Sequence, residues 1–310
     1  MVKSLVTGGA GFIGSHISGT LLKKGHEVRV IDNVSTGNLD NLKDIEDKVE
    51  LVNGSITDKE LLGEAVKDVN YIFHEAALTS VAESIQNPKK TWEINITGTK
   101  LLLEAAVRNK VKKFMFTSSA AVYGVAEPPL NESMNVKSIS PYGDSKRMGE
   151  ILCENYFKKH KLETVSLRCF NVYGPRQNPK SEYSGVISKF IDAALEGRNP
   201  TIYGDGNQTR DFICVEDVVK ANFLAMEKKH APGSIFNIAT GTQTSINDLA
   251  KIIYELSGTD FNPVYEEPRK GDIKHSYADI SKAKKYLGFE PEYSLKEGLK
   301  KTIEWYKENR

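Results

Sequence analysis

A glycine-rich turn set between an apolar run and a helical stripe constrains this chain more than any other feature. Ser4-Leu5-Val6-Thr7 is strand-like, Gly8, Gly11 and Gly14 follow at three-residue spacing, and Ile13, Ile17 and Leu21 recur at helical spacing up to Gly25. A strand that passes straight into a helix through glycines opens a βαβ unit. Such units assemble into a parallel sheet covered by helices on both faces. The alternation continues. Glu27 to Ile31, Leu51-Val52, Tyr71-Ile72-Phe73 and Phe114-Met115-Phe116 are further strand runs, and Ile94, Leu101, Leu102 and Ala105 make a helical stripe before the last of them.

After Val165-Ser166-Leu167 the texture changes. Residues 171–211 are rich in Asn, Gly, Pro and Tyr, with one helix-like insert over Val186 to Leu195. Regular alternation returns with a helix over Val215–Met226 and a strand over Ile235–Ile238, and residues 263–276 are again irregular. The 310 residues suit about two domains. The expected fold is α/β: a Rossmann-type doubly wound parallel sheet over 1–170, to which 212–240 return, and a smaller α/β substrate domain over 171–310, interleaved with it.

The glycine turn carries chemistry as well as topology. Glycines let a diphosphate approach backbone amides, and the start of the following helix offers that anion a partial positive charge. Asp32 ends the second strand run, 18 residues after Gly14. A carboxylate there accepts hydrogen bonds from the adenosine ribose and repels a 2′-phosphate, so the expected cofactor is NAD rather than NADP.

A second constellation is Ser140-Pro141-Tyr142-Gly143-Asp144-Ser145-Lys146. Ser140 can cap a helix and Pro141 suits its first turn. Tyr142 and Lys146 then share one helical face. A phenol is a poor base at neutrality, and bringing it there needs roughly 4 kcal/mol of differential interaction. A neighbouring ammonium and a positive nicotinamide both act in that direction. Thr117-Ser118-Ser119 closes the fifth strand run, where ligands of open α/β sheets bind. Ser119, Tyr142 and Lys146 together make a coherent site for interconverting a hydroxyl and a ketone. Taken alone, a Tyr-x-x-x-Lys pair is more often a surface helix pair, and strand-end serines equally cap turns.

Composition narrows the partners. The 42 Lys and Arg balance 41 Asp and Glu for a net charge of +1, unlike a general nucleic-acid binder. Apolar runs stay well short of a transmembrane helix, and the opening residues do not read as a signal peptide. The three cysteines, Cys153, Cys169 and Cys214, are widely spaced and read as reduced thiols of a cytoplasmic protein without a metal site.

With glycine turn, Asp32, serine run and Tyr-x-x-x-Lys in order, the sequence resembles the extended short-chain dehydrogenase/reductase family, and within it the nucleotide-sugar 4-epimerases. The resemblance spans essentially the whole chain. It includes Leu167-Arg168-Cys169-Phe170-Asn171-Val172-Tyr173-Gly174-Pro175-Arg176, Thr209-Arg210-Asp211-Phe212-Ile213 and Arg269-Lys270-Gly271-Asp272. It implies that Gly8, Gly11, Phe12, Ile13 and Gly14 line the NAD diphosphate, that Asp32 and Asn33 meet the adenosine ribose, and that Ala76, Ala77, Thr79 and Asn95 lie along the cofactor. It makes Tyr142 the base, Lys146 its activator and ribose ligand, and Ser119 the partner of the sugar oxygen. Asn171 and Val186 would meet the substrate, Thr201 and Tyr203 would flank uracil, Arg210 and Arg269 would fork onto the diphosphate, and Asp272 would hold a ribose hydroxyl. A homodimer formed through the Ile94–Val107 stripe and the Pro141–Lys159 helix is also implied.

Two departures matter. Ser55, next to Ile56, stands where family members often carry an Asp against adenine, and Ser276 stands where some epimerases carry a bulky Tyr beside the sugar. A small residue at 276 leaves room for an N-acetyl group. The expected activity is therefore NAD-dependent 4-epimerisation of a UDP-hexose, UDP-N-acetylglucosamine/UDP-N-acetylgalactosamine and also UDP-glucose/UDP-galactose, through a 4-keto intermediate. Dehydratases of the family carry an acidic pair directly after the strand-end threonine; here Ser118-Ser119-Ala120 follows Thr117. A UDP-glucuronate 4-epimerase and another nucleotide-sugar dehydratase or reductase stay open as alternatives, and a non-catalytic NAD-binding module is disfavoured by the intact Ser119–Tyr142–Lys146 set.

Overall fold

In the computed structural model, residues 2–178, 185–229, 231–268 and 273–309 are described. Six strands come first: β1 (Lys3–Thr7), β2 (Glu27–Asp32), β3 (Val49–Asn53), β4 (Tyr71–His74), β5 (Lys113–Ser119) and β6 (Glu163–Cys169). Four short ones follow, β7 (Asn171–Tyr173), β8 (Thr201–Tyr203), β9 (Thr209–Arg210) and β10 (Phe212–Cys214). The last are β11 (Ser234–Ile238), β12 (Thr244–Ser245), β13 (Val264–Glu266) and β14 (His275–Ser276). The main sheet runs β11-β6-β5-β4-β1-β2-β3 and every pairing in it is parallel. Its order reverses between β1 and β4, the switch point at which doubly wound sheets open a ligand crevice.

Alternate residues of each strand enter opposite cores, as the period of two requires. Val6, Val30, Phe73 and Met115 pack on one face with Ile17, Leu21, Val218 and Phe223. Leu5, Ile31, Ile72 and Phe114 pack on the other with Leu102, Leu103 and Cys153. The helices in chain order are α1 (Phe12–Lys23), α2 (Lys59–Ala65), α3 (Val81–Gln86), α4 (Pro88–Trp92), α5 (Thr99–Arg108), α6 (Pro141–His160), α7 (Val186–Leu195), α8 (Val215–Glu227), α9 (Ile246–Ser257), α10 (Ser281–Leu287) and α11 (Leu295–Glu308). A separate core gathers Ile187, Phe190 and Ile191 of α7, Leu249 and Ile253 of α9, Leu299 and Ile303 of α11, and Ile202 and Phe212.

The structure departs from the sequence reading in two places. The stripe expected to be one helix from Ile94 is broken: α4 ends at Trp92, a π-helical turn spans Glu93–Gly98, and α5 begins at Thr99. Gly98, the last residue of that turn, lies against Ile56, whose side chain would meet an added Cβ at 2.7 Å. The stretches 171–211 and 263–276, expected to be irregular around one helix, hold β7, β8 and β9, and β13 and β14. Strands of two or three residues are too short to show an alternation.

Candidate functional site

The carboxyl ends of β1, β4 and β5 and the start of α6 bring the two sequence constellations together. The glycine turn is closed by backbone bonds: the Gly8 amide donates to Ile31 O at 2.7 Å, and the Gly11 amide to Gly8 O at 3.0 Å. Gly8 has φ +69° and packs so tightly under the next crossover that an added Cβ would lie 2.8 Å from the Ala76 amide nitrogen. A Cβ on Gly14 would collide with Gly8 O. These glycines are required on packing grounds before any ligand is considered.

The start of α1 fits an anion. Its N-cap is Gly11, with no side-chain cap, whereas α6, α9 and α11 begin under Ser140, Ser245 and Ser294 hydroxyls. Phe12 and Ile13 open that helix, so its first-turn amides have no capping side chain and meet the need of a dinucleotide diphosphate. Asp32 is buried; one carboxylate oxygen accepts the Ala10 amide at 2.9 Å and the other the Val34 amide at 2.8 Å. Each oxygen keeps a lone pair, so the group that shapes the turn can also accept a ribose hydroxyl. Asn33 is exposed, and its side-chain oxygen accepts the Ser35 amide at 3.2 Å.

Other candidates are turned to the protein. The Ser55 hydroxyl lies 2.8 Å from that of Thr57, and Ile56 is buried. Asn95 is buried in the π-helical turn. Its amide donates to Leu78 O and to the Ser145 hydroxyl, both at 2.9 Å, and its oxygen accepts the Leu78 amide at 2.8 Å. It clamps the loop of Ala76, Ala77 and Thr79 to α6 and so positions that loop.

On α6, Ser140 accepts the Gly143 amide at 3.1 Å and Pro141 occupies the first turn. The buried Lys146 ammonium donates to Thr117 O at 2.8 Å and lies 5.9 Å from the centre of the Tyr142 ring. Burial drives its pKa down, with Glu75 opposing. Tyr142 is half-buried; loss of solvent pushes its hydroxyl up to about 12, and the Ser119 side chain pulls it back. The chain's own groups therefore favour the phenol, and an added positive charge beside the ring would favour phenolate. Ser119 ends β5, where its hydroxyl oxygen accepts the Ala121 amide at 3.2 Å.

Asn171, Val186, Thr201, Tyr203 and Arg210 meet in one cavity of about 460 Å³, supplied by β7, α7, β8 and β9. The Arg210 guanidinium donates to Thr209 O at 2.8 Å. The buried Asp211 carboxylate accepts the Thr240 amide at 2.8 Å and the Gly241 amide at 2.9 Å. Ser276 pairs with Arg210 across the β14–β9 ladder. Arg269 and Asp272 lie outside the described residues. A second cavity, about 350 Å³ between α1 and α8, is lined by His16, Lys24 and Phe223 among others and contains none of these candidates.

The sequence reading missed Phe190 and Gln208, which line the 460 Å³ cavity, and Glu75, which accepts a hydrogen bond from the Thr117 hydroxyl at 2.6 Å. A charge placed directly after an apolar strand, at the end where ligands bind, was the available signal for Glu75. Among the described residues no cluster of His, Cys, Asp and Glu could hold a metal ion, and no helix is long and apolar enough to cross a membrane.

Known proteins are similar to this chain over nearly its whole length. Residues 4–239 match the model of the NAD dependent epimerase/dehydratase family. The UDP-glucose 4-epimerase of Mycolicibacterium smegmatis is 39% identical over 311 residues, covering 99% of each chain. Crystallised UDP-glucose 4-epimerase of Thermotoga maritima, with UDP-glucose, superposes with a TM-score of 0.94 at 41% identity, covering 99% of each chain. The UDP-N-acetylglucosamine 4-epimerase of Methanobrevibacter ruminantium, in complex with UDP-N-acetylmuramic acid, superposes with a TM-score of 0.95 at 39% identity, covering 100% of this chain and 99% of the other.

Proposed function

Because the chain belongs to the NAD dependent epimerase/dehydratase family, we propose that it inverts carbon 4 of a UDP-hexose, with UDP-N-acetylglucosamine and UDP-N-acetylgalactosamine as its pair and UDP-glucose and UDP-galactose also accepted. The observation that carries this reading is that the Lys146 ammonium lies 5.9 Å from the centre of the Tyr142 ring and the Ser119 side chain bonds the Tyr142 hydroxyl, with Arg210 in a cavity lined by other elements. Bound NAD supplies the hydride acceptor and donor for carbon 4. Tyr142 takes the proton of the 4-hydroxyl and returns it to the same oxygen once the sugar has presented its other face. Lys146 favours the phenolate, and Ser119 holds oxygen 4. Gly8, Gly11, Phe12, Ile13 and Gly14 hold the cofactor diphosphate, Asp32 and Asn33 its ribose, Ser55 and Ile56 lie at its adenine end, and the loop of Ala76, Ala77 and Thr79 follows its length, with Asn95 bonded to that loop.

Asn171, Val186, Thr201, Tyr203 and Arg210 anchor the UDP end. A ring held only through single bonds to an anchored diphosphate can turn without leaving, and remote binding energy keeps it in reach. Ser276 stands beside Arg210 with a small side chain, which supports room for an N-acetyl group. No acidic residue follows Thr117 to assist elimination, which favours epimerisation over dehydration.

The test is to incubate the protein separately with UDP-glucose, UDP-N-acetylglucosamine and UDP-glucuronate and to resolve the 4-epimers. The N-acetylated pair is expected to interconvert, and inversion of UDP-glucuronate alone would refute the assignment. Ser276→Tyr is expected to lower kcat/KM for the N-acetylated substrate by about tenfold or more, since overpacking costs about 1–3 kcal/mol, with UDP-glucose little affected. Equal losses on both substrates would place Ser276 outside the sugar pocket.

The same reading makes the protein a cytoplasmic homodimer. All three cysteines are unpaired and buried. Ile85 on α3, Trp92 on α4 and Met148 on α6 are large, apolar and exposed on helices that pack together, and a second copy would cover them. Light scattering is expected to give twice the chain mass; a monomer at micromolar concentration would count against it.

A further inference from the structure

Glu75 has no part in the mechanism above, yet it sits inside the same corner. It follows β4 directly and its amide donates to Thr7 O at 3.1 Å, which places it at the switch point beside Ala76. One residue joins it to the catalytic helix. Thr117 donates its hydroxyl to Glu75 Oε1 at 2.6 Å, while the Thr117 carbonyl accepts the Lys146 ammonium at 2.8 Å.

The surroundings leave Glu75 as the counter-charge for that ammonium: burial pushes its carboxyl up to about 7, and the Thr117 hydroxyl and the Lys146 ammonium pull it back toward the ionised form. Among the described residues Lys146 makes no direct ion pair with a carboxylate. Glu150, the buried carboxylate one turn further along α6, is held by both Arg168 and Arg147. Cys169, facing from β6, is kept a neutral thiol by burial, and His74, the last residue of β4, is pushed down to about 3 and is neutral. Tyr142, from α6, is a phenol in the chain alone. A buried ammonium without a balancing charge is costly.

We propose that Glu75 is a positioning residue of the proposed epimerase site: bridged by Thr117, its carboxylate supplies the charge that keeps Lys146 protonated and thereby sets the pH window in which Tyr142 works. The inference rests on the reading of Tyr142 as the base. Two effects have opposite signs on the reaction. A Glu75 carboxylate stabilises the Lys146 ammonium, and it also opposes the Tyr142 phenolate by like-charge repulsion. Removing the charge therefore lets Tyr142 ionise at lower pH and lets Lys146 lose its proton at lower pH. Because the groups interact, the limbs of the pH profile belong to the cluster rather than to single residues.

The test compares kcat against pH for the purified holoenzyme and its Glu75→Gln and Glu75→Asp variants. It adds a readout that does not depend on turnover, the tyrosinate absorbance of Tyr142 taken as the difference from Tyr142→Phe in each background. Glu75→Gln is expected to move both limbs, and the Tyr142 tyrosinate midpoint, about one pH unit lower, and Glu75→Asp to move them back. Thr117→Val keeps the side-chain shape and removes the bridge; it is expected to shift the limbs in the same direction by less. Unmoved limbs and an unmoved tyrosinate midpoint in Glu75→Gln, or in Thr117→Val should Glu75→Gln not fold, would overturn the proposal. Tyr142→Phe retaining full turnover would overturn the reading beneath it as well, so the two failures are distinguishable.

Discussion

Tyr142→Phe is expected to lower kcat for 4-epimerisation by about 10²–10⁴-fold, the range that positioned general acid–base groups contribute, with KM nearly unchanged. The substitution removes one oxygen and keeps the ring. The backbone bonds that seat the residue do not involve that oxygen: the Tyr142 amide donates to the Ser84 hydroxyl at 3.1 Å, and the Ser145 hydroxyl donates to Tyr142 O at 2.7 Å. The fold and the cofactor turn are therefore expected to survive, and the UDP end keeps its own cavity around Arg210. A loss confined to kcat means that the hydroxyl acts in the transition state and not in binding. Steady-state assays on the UDP-hexose pair, with circular dichroism as the control for folding, read both quantities. Wild-type kcat in this variant would remove Tyr142 from the chemistry.

The parts of this site that were legible in the sequence are local. The Gly8–Gly14 turn and Asp32 lie within one βαβ unit, and Tyr142 and Lys146 lie within one turn of one helix. Short-range periodicity and capping residues are enough to align such groups. What escaped is set by contacts distant along the chain. Glu75 meets the Thr117 hydroxyl, 42 residues later, and Lys146 beyond it. The Asn95 side chain ties Leu78, 17 residues back, to Ser145, 50 residues on, a link that no local pattern shows. The Ile94–Ala105 stripe reads as one helix, but the chain passes through a π-helical turn at Glu93–Gly98, whose last residue packs on Ile56 from far along the chain. The two- and three-residue ladders β9–β14 and β8–β13, which frame Arg210 and Thr201, carry no periodic signal of their own.

Arg168→Leu is expected to destabilise the protein by about 3–5 kcal/mol, the cost of leaving a buried charge without its partner. Arg168 on β6 and Glu150 on α6 have side chains 2% and 0% exposed, and they meet through two parallel bonds of 2.7 and 2.8 Å. Glu150 holds the guanidinium charged against the burial that opposes it. The guanidinium also lies 4.7 Å over the centre of the Tyr123 ring. With leucine at 168 the carboxylate keeps the Ser118 hydroxyl at 2.7 Å and the half-exposed Arg147 at 2.9 Å, too little to replace a forked pair. The companion variant decides the mechanism. Arg168→Leu combined with Glu150→Leu removes both charges, and buried pairs replaced by apolar residues of similar volume are often neutral or more stable. The double variant is therefore expected to recover most of the lost stability in urea unfolding, with an unchanged m-value marking the same buried surface. Additive losses would mean that the pair acts by packing alone. Recovery would identify the charge as the source of the cost, and would explain why the strand that ends at Cys169 and the helix that carries Tyr142 and Lys146 are held in one register: any slip between them strands a carboxylate in the core.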